Sequence, residues 1–99
     1  MKVYIVSGRY GSEMEEPMIF FKREDAENNI KENIYDFIID DYVDEMESDG
    51  VDVSNIDDVL QWGYDNEYCD SYNNDFPDTY TANDDWSEYM ITEHNINLE

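Results

Sequence analysis

Hydrophobic positions follow strand-like runs at both ends of the chain and helical spacing between them. Residues 2–7, KVYIVS, form a β-branched and aromatic run that predicts a buried strand. Gly8, Gly11 and Pro17 punctuate a loop over 8–17. MIFF at 18–21 predicts a second strand, antiparallel to the first. Residues 24–49 then read as one long helix that Gly50 stops. Ala26, Ile30, Ile34 and Phe37 share a face of its first half, at about 100° per residue. In its second half Tyr35, Ile38, Ile39, Tyr42, Val43 and Met46 form a stripe rotated well away. The pattern predicts either a bend near 35–37 or burial on two sides, with the second side against another element or subunit.

Ser54 opens a second, shorter helix, with Ser54 and Asp57 as a capping-box variant and Gly63 as its C-terminal stop. Ile56, Val59 and Leu60 supply its apolar face. Residues 64–78, rich in Asp, Asn and Tyr, read as irregular or partly helical. Two further strands are expected at 79–81 and 86–94, around a turn at 82–85. In the last strand Tyr89 and Ile91 face one side, Met90 and Thr92 the other. The order β–β–α–α–β–β predicts a single α+β domain over 1–99, a small antiparallel sheet packed against one long and one short helix.

Charge changes this picture most. The chain has 27 acidic and 5 basic residues, a formal net charge of −22. All the basic residues (Lys2, Arg9, Lys22, Arg23, Lys31) precede Glu32, beside six acids, so residues 1–31 carry −1 and the rest −21. A nearly neutral scaffold therefore leads into a polyanion, which argues against nucleic acid or an anionic membrane as partner and for a basic protein. Charge this high borders on the disordered class, but two Trp and nine Tyr argue for a packed core. No N-terminal run resembles a signal peptide, and no apolar stretch approaches a membrane span. The expectation is a soluble, cytoplasmic domain.

The acids of the long helix are arranged against its own stability. Asp36, Asp40 and Asp44 follow each other at i, i+4, as do Asp41 and Glu45, with Glu47 and Asp49 beyond. Like charges at that spacing cost roughly 0.2–0.5 kcal/mol per pair. They also mass at the end where the macrodipole favours cations. A solvated face is the plain explanation; a basic partner that relieves the repulsion is the functional one. Asp57 and Asp58 sit at the favourable end of the second helix. If the long helix is only scaffold, the anionic surface lies within 65–88.

Catalytic chemistry lacks its usual parts. His94 is the one imidazole and Cys69 the one thiol, with no local signature around either, and Gly8 and Gly11 miss both phosphate-loop spacings. Among 27 acids some pair always satisfies a glycosidase distance, so carboxylate pairs carry no specificity. An EF-hand with Gly50 at its sixth position places Glu45, Glu47 and Asp49 at positions one, three and five, but Ile56 at the twelfth, where a Glu is required. No enzyme, cofactor or resident metal is expected. An acidic Ca²⁺-binding or protein-interaction module around the 45–52 cluster is the rival class.

Residues 32–99, an Asp/Glu/Tyr-rich α+β body without Lys or Arg, resemble the phage-encoded DNA mimics. That group includes anti-CRISPR proteins, anti-restriction proteins and inhibitors of uracil-DNA glycosylase. The opening KVYIVS…MIFFKREDAENNI separately resembles the strand–strand–helix start of many small phage proteins. The resemblance implies an inhibitor, most directly an anti-CRISPR protein, that fills the DNA-binding or PAM-reading cleft of a Cas effector. A restriction enzyme or uracil-DNA glycosylase is the alternative target, and the host cytoplasm is the expected setting. The expected partner-binding surface is Asp36, Asp40, Asp41, Asp44, Glu45, Glu47 and Asp49, with Asp57 and Asp58 supporting. Tyr35, Ile39, Tyr42, Val43 and Met46 form a candidate seam for a homodimer.

Overall fold

The computed structural model describes residues 1–72, 75–82 and 87–96. Strands β1 (Lys2–Tyr10), β2 (Glu13–Met14) and β3 (Met18–Phe20) lead into helix α1 (Arg23–Ser48) and helix α2 (Ile56–Asp65); β4 (Thr79–Ala82) and β5 (Ser87–Asn95) close the chain. The fold is α+β, with one five-stranded antiparallel sheet and two helices. The sheet runs β2-β1-β5-β4, and β3 also pairs with β1, beside β2. The long β1–β5 ladder, from Lys2↔Asn95 to Tyr10↔Ser87, brings the two ends of the chain together. β1 pairs antiparallel with β3 through Ile5↔Ile19, as expected. β1 continues past the expected end to Tyr10 and turns at Gly11 into β2, where a loop was expected. Ala82, expected to open the turn over 82–85, is the last residue of β4; positions 83–85 of that turn and the strand start at Trp86 lie outside the described residues.

Alternation divides the sheet into two faces. Tyr4, Val6, Tyr80, Tyr89 and Ile91 face the helices and join the core, with Phe20 beside Tyr4. Met90 and Thr92 face away, as expected, with Ile5 and Ser7 as their cross-strand partners.

α1 resolves the two stripes that its sequence suggests. Its buried residues form one row at four-residue spacing, Ala26, Ile30, Ile34, Ile38 and Met46, with half-buried Tyr42 between the last two. Such a row advances about 40° around the axis per step. Over its length the buried side turns by about 200°, so an unbroken helix is buried on two sides. α1 packs on both the sheet and α2, which is the second element, with Ile38 meeting Gly63 and Tyr42 beside Trp62. The turn also cancels any average amphipathicity of the whole helix.

Close contact with α2 depends on Gly63. This residue lies inside α2, buried, where a Cβ would come within 2.7 Å of Ile38 Cδ1 and 2.9 Å of Cys69 Sγ. The expectation that Gly63 stops the helix is corrected: α2 runs on to Asp65, and Asn66 donates to the Trp62 carbonyl at 2.9 Å. The cap moves too. Asp52 captures the Ser54 hydroxyl and N–H, so Asn55 becomes the N-cap and accepts from the Asp58 N–H at 3.1 Å.

The described residues after α2, 66–72 and 75–78, are irregular, as expected, and are anchored by rings. Tyr68 stacks on Tyr42 with centroids 4.1 Å apart, beside Trp62, and Phe76 stacks on Tyr80 at 5.2 Å. Cys69 bridges to Ala82 on the outer edge of β4. Burial pushes its thiol up to about 11, which leaves it an inert core residue.

Two outcomes follow. Gly63→Ala forces Ile38 and Cys69 apart, so it should destabilise the fold by about 1–3 kcal/mol in denaturant titration; an unchanged midpoint would mean that the helices do not meet closely there. Alkaline pH should also unfold the chain. Burial, and then Glu15, pushes the Tyr89 phenol from 10.0 up to about 12, and burial also raises Tyr72 and Tyr80. A raised phenol favours the fold fully below its unfolded value and loses that contribution as pH climbs from 10 through about 12. Circular dichroism and tyrosinate absorbance should change together in that window.

Candidate functional site: an acidic face on the long helix

The C-terminal half of α1 ends in a complete Schellman motif. Gly50, at φ +78°, donates to the Glu47 carbonyl at 3.1 Å, and Val51 donates to the Met46 carbonyl at 3.0 Å. The apolar contact that goes with this motif is supplied by Val51 packed against the cluster containing Met46. Backbone closure and packing thus hold a helix end that has no basic residue in its last turn.

Opposite the buried row runs an acidic one. Asp36, Asp40 and Asp44 lie two residues on from Ile34, Ile38 and Tyr42, which is about 200° around the axis, and all three are exposed. Asp41 and Glu45 occupy the flank that Phe37 begins, and Glu47 the flank of Tyr35, Ile39 and Val43. All three flanking acids are exposed. Asp36, Asp40, Asp41, Asp44, Glu45 and Glu47 therefore share one continuous outward surface.

Arg23, Lys2, Arg9 and Lys31 are committed elsewhere. Arg23 pairs with Glu27 at 3.0 Å and Asp78 at 2.9 Å and donates to the Phe76 carbonyl, tying the start of α1 to the chain before β4. Lys2 pairs with Glu93 and Arg9 with Glu88, both within the β1–β5 ladder. Lys31 lies 4.5 Å over the Tyr72 ring. Among the described residues, which include all five cations, no ion pair reaches α1 beyond Glu27.

The other expected site residues separate from this row. Asp49 is exposed but accepts from the Trp62 indole N–H at 2.8 Å, so it fixes α2 as well as adding charge. Asp57 accepts from the Tyr72 hydroxyl. Asp57 and Asp58 rim an open cleft of about 440 Å³ shared with Lys31, Tyr64 and Tyr72, a mixed surface rather than an extension of the acidic row. The proposed seam is largely used within the chain. Met46 is fully buried, Tyr42 stacks on Tyr68, and the Tyr35 hydroxyl donates to the Val53 carbonyl at 2.6 Å. Ile39 and Val43 are half-buried beside them. The expectation that Met46 lies on a dimer seam is corrected, because the turning row carries it into the core.

Around Gly50 the chain folds as a helix end and a capping turn, with Asp49 and Asp52 engaged by Trp62 and Ser54. The Ser54 hydroxyl, then its N–H, holds the Asp52 carboxyl below its ordinary range. Among the described residues, no group of three or more His, Cys, Asp or Glu side chains could hold a metal ion. No described helix is long and apolar enough to cross a membrane. His94 is exposed and bonds only locally, to Thr92. No family model, curated protein or solved structure matches the chain.

If the acidic row is a burden on the free helix, replacing part of it should strengthen the fold. Asp40→Lys with Asp44→Lys removes like-charge pairs and brings cations to the helix C-terminus, for a gain on the order of 1 kcal/mol at low salt. Thermal melts should show that gain shrinking as salt is added; a loss of stability would mean that these carboxylates have structural partners.

Proposed function

We propose that the chain is an inhibitor that imitates the charge of DNA, acting as an anti-CRISPR protein in the DNA-binding or PAM-reading cleft of a Cas effector. The observation that carries this reading is the exposed acidic row of α1, which no cation of the chain neutralises. Asp36 to Glu47 presents six carboxylates over a rise of about 16 Å, roughly one per 3 Å. One strand of DNA carries a charge per roughly 3.4 Å. A cleft whose Lys and Arg residues await phosphates meets a similar density on a rigid rod, and releases the same counterions. No bond is made or broken, so the reading needs no nucleophile or metal. The setting is the cytoplasm of a cell that a phage has infected.

The test is competition. The chain should displace target DNA from a purified Cas effector, with an affinity that falls steeply as salt rises. The Asp40→Lys, Asp44→Lys variant should lose several kcal/mol of binding by setting like charges against the cleft, while its melting temperature rises. Undiminished inhibition by that variant would move the binding surface off the helix. Recovery of a restriction enzyme or a DNA-repair glycosylase from a bacterial lysate would change the target and keep the physics. Recovery of no DNA-binding protein would overturn the reading.

A further inference from the structure

The sheet face turned away from the helices carries few charges, Arg9 and Glu88 with Asp70 bonded to Thr81 at the β4 edge. Ile19, Ile5 and Thr92 lie across it in one register, and Ser7, Met90 and Thr79 in the next. Along the β1–β5 ladder the one acid on this face is Glu88, paired with Arg9 at 3.7 Å, and His94 stands at the far end. Its middle is open: Ile5 and Met90 stand outside the core cluster and Ile19 and Met90 are 60% and 39% exposed, whereas Val3, beside His94 at the far end, is buried. Exposed Met14 pairs with Arg9 in the register of this face, while Met18 pairs with Val6 on the helix side.

We infer that this face docks a second copy of the chain, the two sheets stacking face to face with the helices outermost. Charge selects the occupant. Each copy carries −22, so two copies repel wherever acids meet, and the open sheet is where that repulsion is least. A basic partner is drawn instead to the acidic row on the helix layer, away from this face. An isologous contact needs a self-complementary patch, and apolar side chains among Ser and Thr around one internally balanced Arg9–Glu88 pair meet that condition. The five strands, about 4.8 Å apart and nine, nine, four, three and two residues long, present about 400 Å² of flat area, about half of the roughly 800 Å² per partner of a standard interface. The inference does not depend on the proposed function.

Sedimentation of the unmodified chain tests it. At tens of micromolar and near-physiological salt the species should be about twice 11.8 kDa. Lowering the salt to about 0.01 M lengthens the screening distance to about 30 Å and should weaken association at least about tenfold. Ile19→Glu with Met90→Glu places new charges against each other and should leave a monomer with native circular dichroism. In the unmodified chain, methyl signals of Ile5, Ile19 and Met90 should shift on dilution while those of Ile38 stay fixed, a readout that holds if the variant misfolds. A monomer at every salt concentration overturns the inference, as does a dimer that survives the double substitution or dilution shifts confined to α1.

Discussion

The close approach of α1 and α2 at Gly63 is the contact on which the acidic half of the molecule depends. The C-terminal half of α1 is a poor helix in isolation, with like charges at i, i+4 and no cation near its end. Its order comes from burying Ile38, Tyr42 and Met46 against α2 and the rings of Trp62 and Tyr68. Gly63 lets the helices approach closely enough for that burial. Apolar contact on one side thus holds a row of mutually repelling carboxylates on the other.

Much of this was legible in the chain because it is local. Strand alternation in β5, the run that makes β1 and the Gly50 stop all follow from neighbours a few positions apart. The misreadings have physical causes. Gly63 has the same signature as a helix-ending glycine, and only the distant Ile38 shows that it is there for space. Ser54 and Asn55 are both good caps, and Asp52 decides between them by taking Ser54. The extension of β1 through Tyr10 comes from pairing with Ser87, far along the chain, and with Glu13 across the Gly11 turn. One row that turns steadily around α1 looks like two faces when each half is projected separately. The acids were visible as a run, but their freedom from ion pairs was not. That required knowing that Arg23 is drawn to Asp78 and Lys31 to Tyr72.

Polarity is separated by layer. The helix layer carries the outward acidic row, while the open sheet face is apolar and hydroxyl-bearing. Cations are used as internal ties: Arg23 fastens the start of α1 to the chain before β4, and Arg9 and Lys2 fasten the β1–β5 ladder. A chain with so few basic residues places most of them in the frame, so the field on the far side of the frame stays strong.

The turning buried row has a consequence for cooperativity. Because the buried side of α1 turns as it runs, one rod meets both the sheet and α2, and a single core cluster joins all three. Detaching α2 would take Gly63 and Trp62, with the Tyr68 ring that follows them, from the C-terminal half of α1, and that half does not stay helical alone. The cluster is continuous, with Cys69 joining Gly63 and Ile38 to Ala82 of β4, so that loss would reach the sheet as well. The acidic row exists as an ordered array only while this shared core is closed.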